Sequence, residues 1–210
     1  MQRKAEDQTP SENPYDNFSL EALGVHQFFG EVDEDKARDA CEFILKSNLV
    51  SKNLSTLTLV LNTVGGECGE GFAVIDVMDT SRIPVATVGI GNIMSMGVLL
   101  LSAGQKGYRT ITKNTEVMAH QFAGYFAGKQ HELLATQASY KMLEEKFFKH
   151  FLRHSKMSEK QIRDVLFSPS DRYLTPTECV RYGLVDRVVD YAQFQPAPLK
   201  SVKRRSSAAR

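Results

Sequence analysis

The chain has 210 residues, of which 42% are hydrophobic, and its formal net charge is only +1. That length and composition suit one packed domain and exclude a disordered chain. No apolar run is long enough to span a bilayer, the best candidate at 85–103 being broken by Gly89, Gly91 and Gly97, and three cysteines without Cys-x-x-Cys spacing exclude a disulfide framework or a zinc site.

Residues 1–24 are polar, carry Pro10 and Pro14, and read as a flexible N-terminal arm. The acids Glu6, Asp7, Glu12 and Asp16, without an apolar stretch, predict neither a secretory nor an organellar leader. Together with free cysteines this points to a cytoplasmic protein. Asp33 predicts a helix N-cap, and Ala37, Cys41, Ile44 and Leu45 recur at helical spacing towards Ser47. The run Thr56 to Asn62 predicts a buried strand, followed by the Gly65-Gly66 turn and a helix over Glu70 to Met78. Pro84 to Val88 predicts a second strand, and Ser95, after a glycine-bearing turn, opens an apolar helix ending near Ala103. Tyr108 to Ile111 and Val117 to Ala119 predict short strands.

A long helix is expected over His131 to His154. Ser158 with Gln161 and Thr175 with Glu178 form capping boxes, Pro176 occupies a first helical position, and Gly183 ends that helix before a closing strand at Leu184 to Val189. Strand–turn–helix units in this number predict an α/β core over residues 25–192. The tail, 193–210, carries Pro196 and Pro198, then Lys200, Lys203, Arg204, Arg205 and Arg210. No aromatic residues interleave with those charges, so a solvated, disordered tail is expected rather than a nucleic-acid-binding one.

Chemistry concentrates at a few positions. Ser95 is placed where a strand gives way to a helix, and the free N–H groups of a helix start favour developing negative charge. The N–H of Met96 is one natural oxyanion donor there, and Gly66, having no side chain, can bring a second peptide N–H close to a substrate carbonyl. His120 offers a general base and Asp171 a carboxylate to orient it, completing a set of parts for acyl transfer to water. His26, His131, His150 and His154 are rival bases, of which the last three look like solvated positions of a long helix. Residue 93 is Ile, so this is not a Gly-x-Ser-x-Gly elbow, and the order Ser, His, Asp differs from that fold's.

These segments resemble the proteolytic subunits of Clp protease, the ClpP family. The resemblance is carried by Asn62-Thr63-Val64-Gly65-Gly66, Met94-Ser95-Met96-Gly97, Leu100-Leu101-Ser102-Ala103-Gly104, Met118-Ala119-His120-Gln121, Asp171-Arg172-Tyr173-Leu174 and Tyr182-Gly183-Leu184-Val185-Asp186. It implies an α/β, ClpP/crotonase-like spiral of ββα units with a protruding handle helix at His131 to His154. It makes Ser95 the nucleophile, His120 the base, Asp171 its orienter, and the N–H groups of Gly66 and Met96 the oxyanion hole, with no metal or cofactor. It also implies a homo-oligomer of stacked heptameric rings that encloses the sites and cleaves unfolded protein or peptides, with an AAA+ unfoldase as partner.

The chain departs from the family in several places. Val64 and Phe122 stand where the family has proline, and Pro169-Ser170 replaces a charged pair before Asp171. The strand Thr58-Leu59-Val60-Leu61 and Thr80 lack aromatic residues that line the family's unfoldase pocket. The interval from His120 to Asp171 is somewhat longer than usual, which leaves Asp164 as an alternative orienter. These departures mark a divergent member, of the phage-encoded or accessory kind. A catalytically silent subunit of a mixed ring and a crotonase-type acyl-CoA enzyme are the alternatives.

Overall fold

The computed structural model describes residues 19–51, 53–124 and 127–189. The expected basic tail and most of the expected N-terminal arm lie outside the described residues. From residue 19 the chain makes a 3-10 turn at Glu21–Leu23, closed by Gly24 at φ 79°.

Strand β1 (Val25–Phe29), helix α1 (Glu34–Val50), strand β2 (Leu57–Thr63), helix α2 (Cys68–Thr80), strand β3 (Val85–Met94), helix α3 (Met96–Ala103) and strand β4 (Arg109–Thr112) follow as strand–helix–strand units. Their strands pair in parallel in the order β1-β2-β3-β4. Parallel pairing needs a crossover at each step, and the helices supply it. Asp33 caps α1 as expected, its carboxylate accepting from the Lys36 N–H at 2.8 Å. In β2 the residues alternate strictly between buried and half-buried, with Leu57, Leu59 and Leu61 facing the helices. Each such leucine contributes roughly 2 kcal/mol on burial. Every residue of α3 is buried, so the helix that starts beside Ser95 forms the centre of the core.

The remaining elements are β5 (Glu116–Ala119), α4 (Gln130–His154), the single turn α5 (Glu159–Gln161) running into a π turn at Ile162–Leu166, β6 (Arg172–Leu174), α6 (Pro176–Tyr182) and β7 (Arg187–Val189). β7 extends the parallel sheet beside β4, whereas β5 pairs with the far end of β3 and carries β6 antiparallel. The architecture is therefore α/β with a mostly parallel sheet. Helix α4 buries only its last turns, through Phe147, His150, Phe151 and His154, while Leu133, Leu134 and Met142 on its earlier turns are exposed. Both capping boxes form, at Ser158 with Gln161 and at Thr175 with Glu178.

Three expectations are corrected. Gly89 and Gly91 do not make a turn: β3 runs through them to Met94. Gly91, at φ 59°, sits where the register with β2 shifts, and the Asn62 side-chain carbonyl accepts the Asn92 N–H there at 2.9 Å. A glycine in a strand interior marks such an irregularity as readily as a strand end. The closing strand is shorter than expected, because Leu184 and Val185 are core residues of the loop before Arg187. His150 and His154 are not solvated. Both are buried with their rings stacked at 4.5 Å, and Ser102 Oγ, which donates to the Leu99 carbonyl, accepts from His150 Nε2 at 2.9 Å.

The elements β4, α4 and β7 are joined by an ion pair that sequence reasoning missed, its guanidinium buried and its carboxylate half-buried. The Arg109 guanidinium forks onto both oxygens of Asp186, at 3.1 and 2.7 Å, and also donates to the carbonyls of Ser102 and His154. Burial raises the Asp186 pKa, but the Arg109 bonds outweigh it and hold the carboxyl below its ordinary value.

Candidate active site

β3 and α3 meet at Ser95 without a loop, and the junction fixes that residue from both sides. The Ser95 N–H donates to the Met118 carbonyl at 2.9 Å, continuing the β3–β5 ladder, and its carbonyl accepts from Val98 N–H at 3.0 Å. The result is φ 52° and ψ −121°, and Ser95 is the only non-glycine residue with positive φ among the described residues. An ordinary capping serine keeps a negative φ and bonds its hydroxyl to the helix start. Ser95 does neither; its hydroxyl makes no capping bond. Strained backbone of this kind costs on the order of 1–3 kcal/mol and persists only where the surroundings over-determine it.

The Gly65-Gly66 turn presses against this junction. A Cβ on Gly65, at φ 92°, would lie 2.6 Å from Ser95 Cβ, so only glycine admits the approach. The next residue bridges to Val32: the Val32 N–H donates to Gly65 carbonyl and the Glu67 N–H to Val32 carbonyl, each at 2.8 Å. Backbone groups alternate sides in extended chain, so the intervening Gly66 N–H points away from Val32. Among the described residues it has no acceptor. The N–H of Met96, first in α3, is also without one, as a helix start leaves it.

His120 follows β5 directly and is half-buried. It and Ser95 line one small cavity of about 20 Å³, whose walls include Phe122, Phe147, Phe151 and Phe167. Thus the structure brings Ser95, His120 and the glycine turn to one place. It does not complete a relay. Among the described residues no hydrogen bond joins Ser95, His120 and Asp171 to one another. Asp171 is exposed, but its position is legible in the ladder: Ala119 pairs with Arg172 across β5 and β6, so the next rung sets His120 opposite Asp171. The Gln121 N–H to Ser168 carbonyl bond, 3.3 Å, keeps the two segments together beyond that rung. Asp164, the alternative, lies in the π turn and pairs with Lys160.

His131 is exposed on the first turn of α4, and the other rival groups are committed elsewhere. His26 bonds Glu21 at 3.0 Å and stacks on Phe43. His150 has its pKa pushed down to about 3, by burial first and by His154 second. Burial raises the thiols of Cys41 and Cys68 and takes Cys179 up to about 12, so none is a thiolate at neutral pH. A wider groove of about 350 Å³ between α2, α3 and the end of α4 holds the Asp79–Arg153 ion pair and lies apart from Ser95. Among the described residues no three His, Cys, Asp or Glu side chains are grouped to hold a metal, and no helix is long and apolar enough to cross a membrane.

Comparison with known proteins places the chain in a family. A family model described as Clp protease matches residues 20–192. The chain is similar to the ATP-dependent Clp protease proteolytic subunit of Deinococcus radiodurans, 33% identical over 135 residues, which are 64% of this chain and 65% of that relative. The chain thus spans just under two thirds of the relative's length.

Proposed function

Because this chain belongs to the Clp protease family, we propose that it is a serine endopeptidase that cleaves unfolded protein or peptides inside an oligomeric chamber. Ser95 carries the assignment. Its hydroxyl is held on a strained backbone, bonded to no cap, and shares a cavity with His120.

In the reaction, His120 takes the Ser95 hydroxyl proton as Oγ bonds to the scissile carbonyl carbon. The carbonyl oxygen becomes an oxyanion and accepts from the N–H groups of Gly66 and Met96, each donor being worth about 3 kcal/mol of barrier. The C–N bond then breaks, and His120 passes its proton to the leaving amine. Water repeats the sequence on the acyl-enzyme, losing a proton to His120 and releasing the acid as Ser95 recovers its own. Asp171 turns from its exposed rung to orient the imidazole. Resting distances at such sites commonly close only on binding. Exposed Leu133, Leu134 and Met142 on α4 support a handle that joins two heptameric rings. An AAA+ unfoldase is the partner the family suggests to feed the chamber, though the strand Thr58-Leu59-Val60-Leu61 lacks the family's aromatic docking residues.

Labelling with a fluorophosphonate probe tests this. Wild type should be labelled at Ser95, and Ser95→Ala, His120→Ala and Asp171→Ala should each lose the label. The unformed relay favours one second reading, a silent or latent subunit. An assembled wild type that takes no label would replace the first reading with it.

A further inference from the structure

The small cavity beside Ser95 says what this site can cleave after. We propose that Phe122 closes the pocket for the residue on the acyl side of the scissile bond, so that the enzyme selects chains with glycine, alanine or serine there. The inference rests on the serine-endopeptidase assignment and names the substrate class of that same site.

The pocket begins at the nucleophile and base and runs inward between α3 and the foot of α4. Its volume, about 20 Å³, is that of one water-sized group. A methyl fits; an isobutyl or benzyl side chain does not. Most of the wall is fixed. Phe147 and Phe151 are buried in the last turns of α4, and Phe167 meets both edge-on, at 6.1 and 6.3 Å between ring centres. Val98 and Leu99 belong to the wholly buried α3. None of these can retreat without disturbing the core, since packed interiors do not yield even a methylene freely.

Phe122 differs from them. It stands two residues past His120 on an irregular segment and is half-buried. Its ring stacks on Phe147 at 5.8 Å and 19°, and meets Tyr140 edge-on at 5.7 Å. Two aromatic partners thus hold it in the wall of the cavity. Unlike the buried Leu166 and Phe167, it is a large wall that a substitution can remove without cutting into the core. A pocket of fixed size discriminates by roughly 10–200-fold per excess methylene. An isobutyl side chain would therefore be rejected strongly here.

Diphenyl phosphonate probes that differ only in the first side chain (methyl, isobutyl or benzyl) test this on the full chain. Each forms a Ser95 Oγ–P bond and releases phenol, and a fluorophosphonate with no such side chain reports the nucleophile alone. Wild type should take the methyl probe at least about tenfold faster than the isobutyl probe, and Phe122→Ala should reverse that ratio. Phe122→Leu, a milder change that keeps the core filled, should narrow it. Equal or faster labelling of wild type by the isobutyl probe would overturn the inference while leaving the endopeptidase assignment intact. Failure of the fluorophosphonate itself would remove the assignment and the inference together.

Discussion

Ser95 holds a backbone conformation that favours glycine, and the neighbouring structure enforces it through the Met118 and Val98 bonds. Two substitutions separate strain from chemistry. Ser95→Ala should lower peptidase activity by roughly 10⁴-fold or more, as removal of a serine nucleophile does, with folding unchanged. Ser95→Gly should be equally inactive yet more stable than Ser95→Ala by about 1 kcal/mol in denaturant unfolding, because glycine relieves the positive φ. Equal stabilities would mean that the junction stores no strain. Gly65→Ala should be worse than either for the fold, since its Cβ would fall 2.6 Å from Ser95 Cβ and 2.9 Å from the Met94 carbonyl oxygen. Reduced labelling together with a loss of about 2 kcal/mol or more is expected.

Between elements, two buried polar joints tie the helix that starts at Ser95 to the rest. His150 on α4 reaches Ser102 on α3, and Arg109 on β4 links Ser102, His154 and Asp186. The His150 pKa is about 3 in the folded chain against an ordinary 6.5, so the unfolded chain binds the proton first. Stability conferred by neutral His150 is complete above pH 6.5 and drains away as pH falls towards 3. His154, also lowered by burial, acts in the same direction. Denaturant midpoints measured from pH 7.5 to about 5.5, above the range where most carboxylates enter, should fall in wild type and fall less in His150→Gln. Asp186→Ala should cost on the order of 1–3 kcal/mol, because it takes the charged partner from a buried guanidinium. A loss below 1 kcal/mol would show that water takes over the fork.

For the whole molecule, the telling feature is α4, whose outer turns expose Leu134 at 62% and Met142 at 64%. Exposed apolar side chains on a helix mark a contact surface, and the proposed ring-to-ring handle would cover them. Leu134→Asp with Met142→Asp should halve the particle mass in sedimentation and leave each chain folded. Unchanged mass would exclude these side chains from any contact between subunits.

Much of the fold was legible because the signals are local. Asp33, Ser158 and Thr175 announce their helices within one turn of chain, and the alternating β2 leucines and the apolar α3 declare their own burial. His150 could also have been read. Phe147, His150, Phe151 and His154 repeat at the spacing of a buried helical stripe, a pattern masked by Lys149 and Arg153 beside them. The Arg109–Asp186 pair and the three-residue β6 carry no such pattern, since their partners lie far along the chain. By itself, then, the sequence determined the α/β class, the family, and the serine, histidine, aspartate and glycines to be weighed as a site. Tertiary structure alone decided that Ser95 is strained and uncapped, that Asp171 lies on the rung opposite His120 without bonding it, and that Phe122 lines the cavity. Such properties depend on distances between segments that only packing brings together, which no local periodicity encodes.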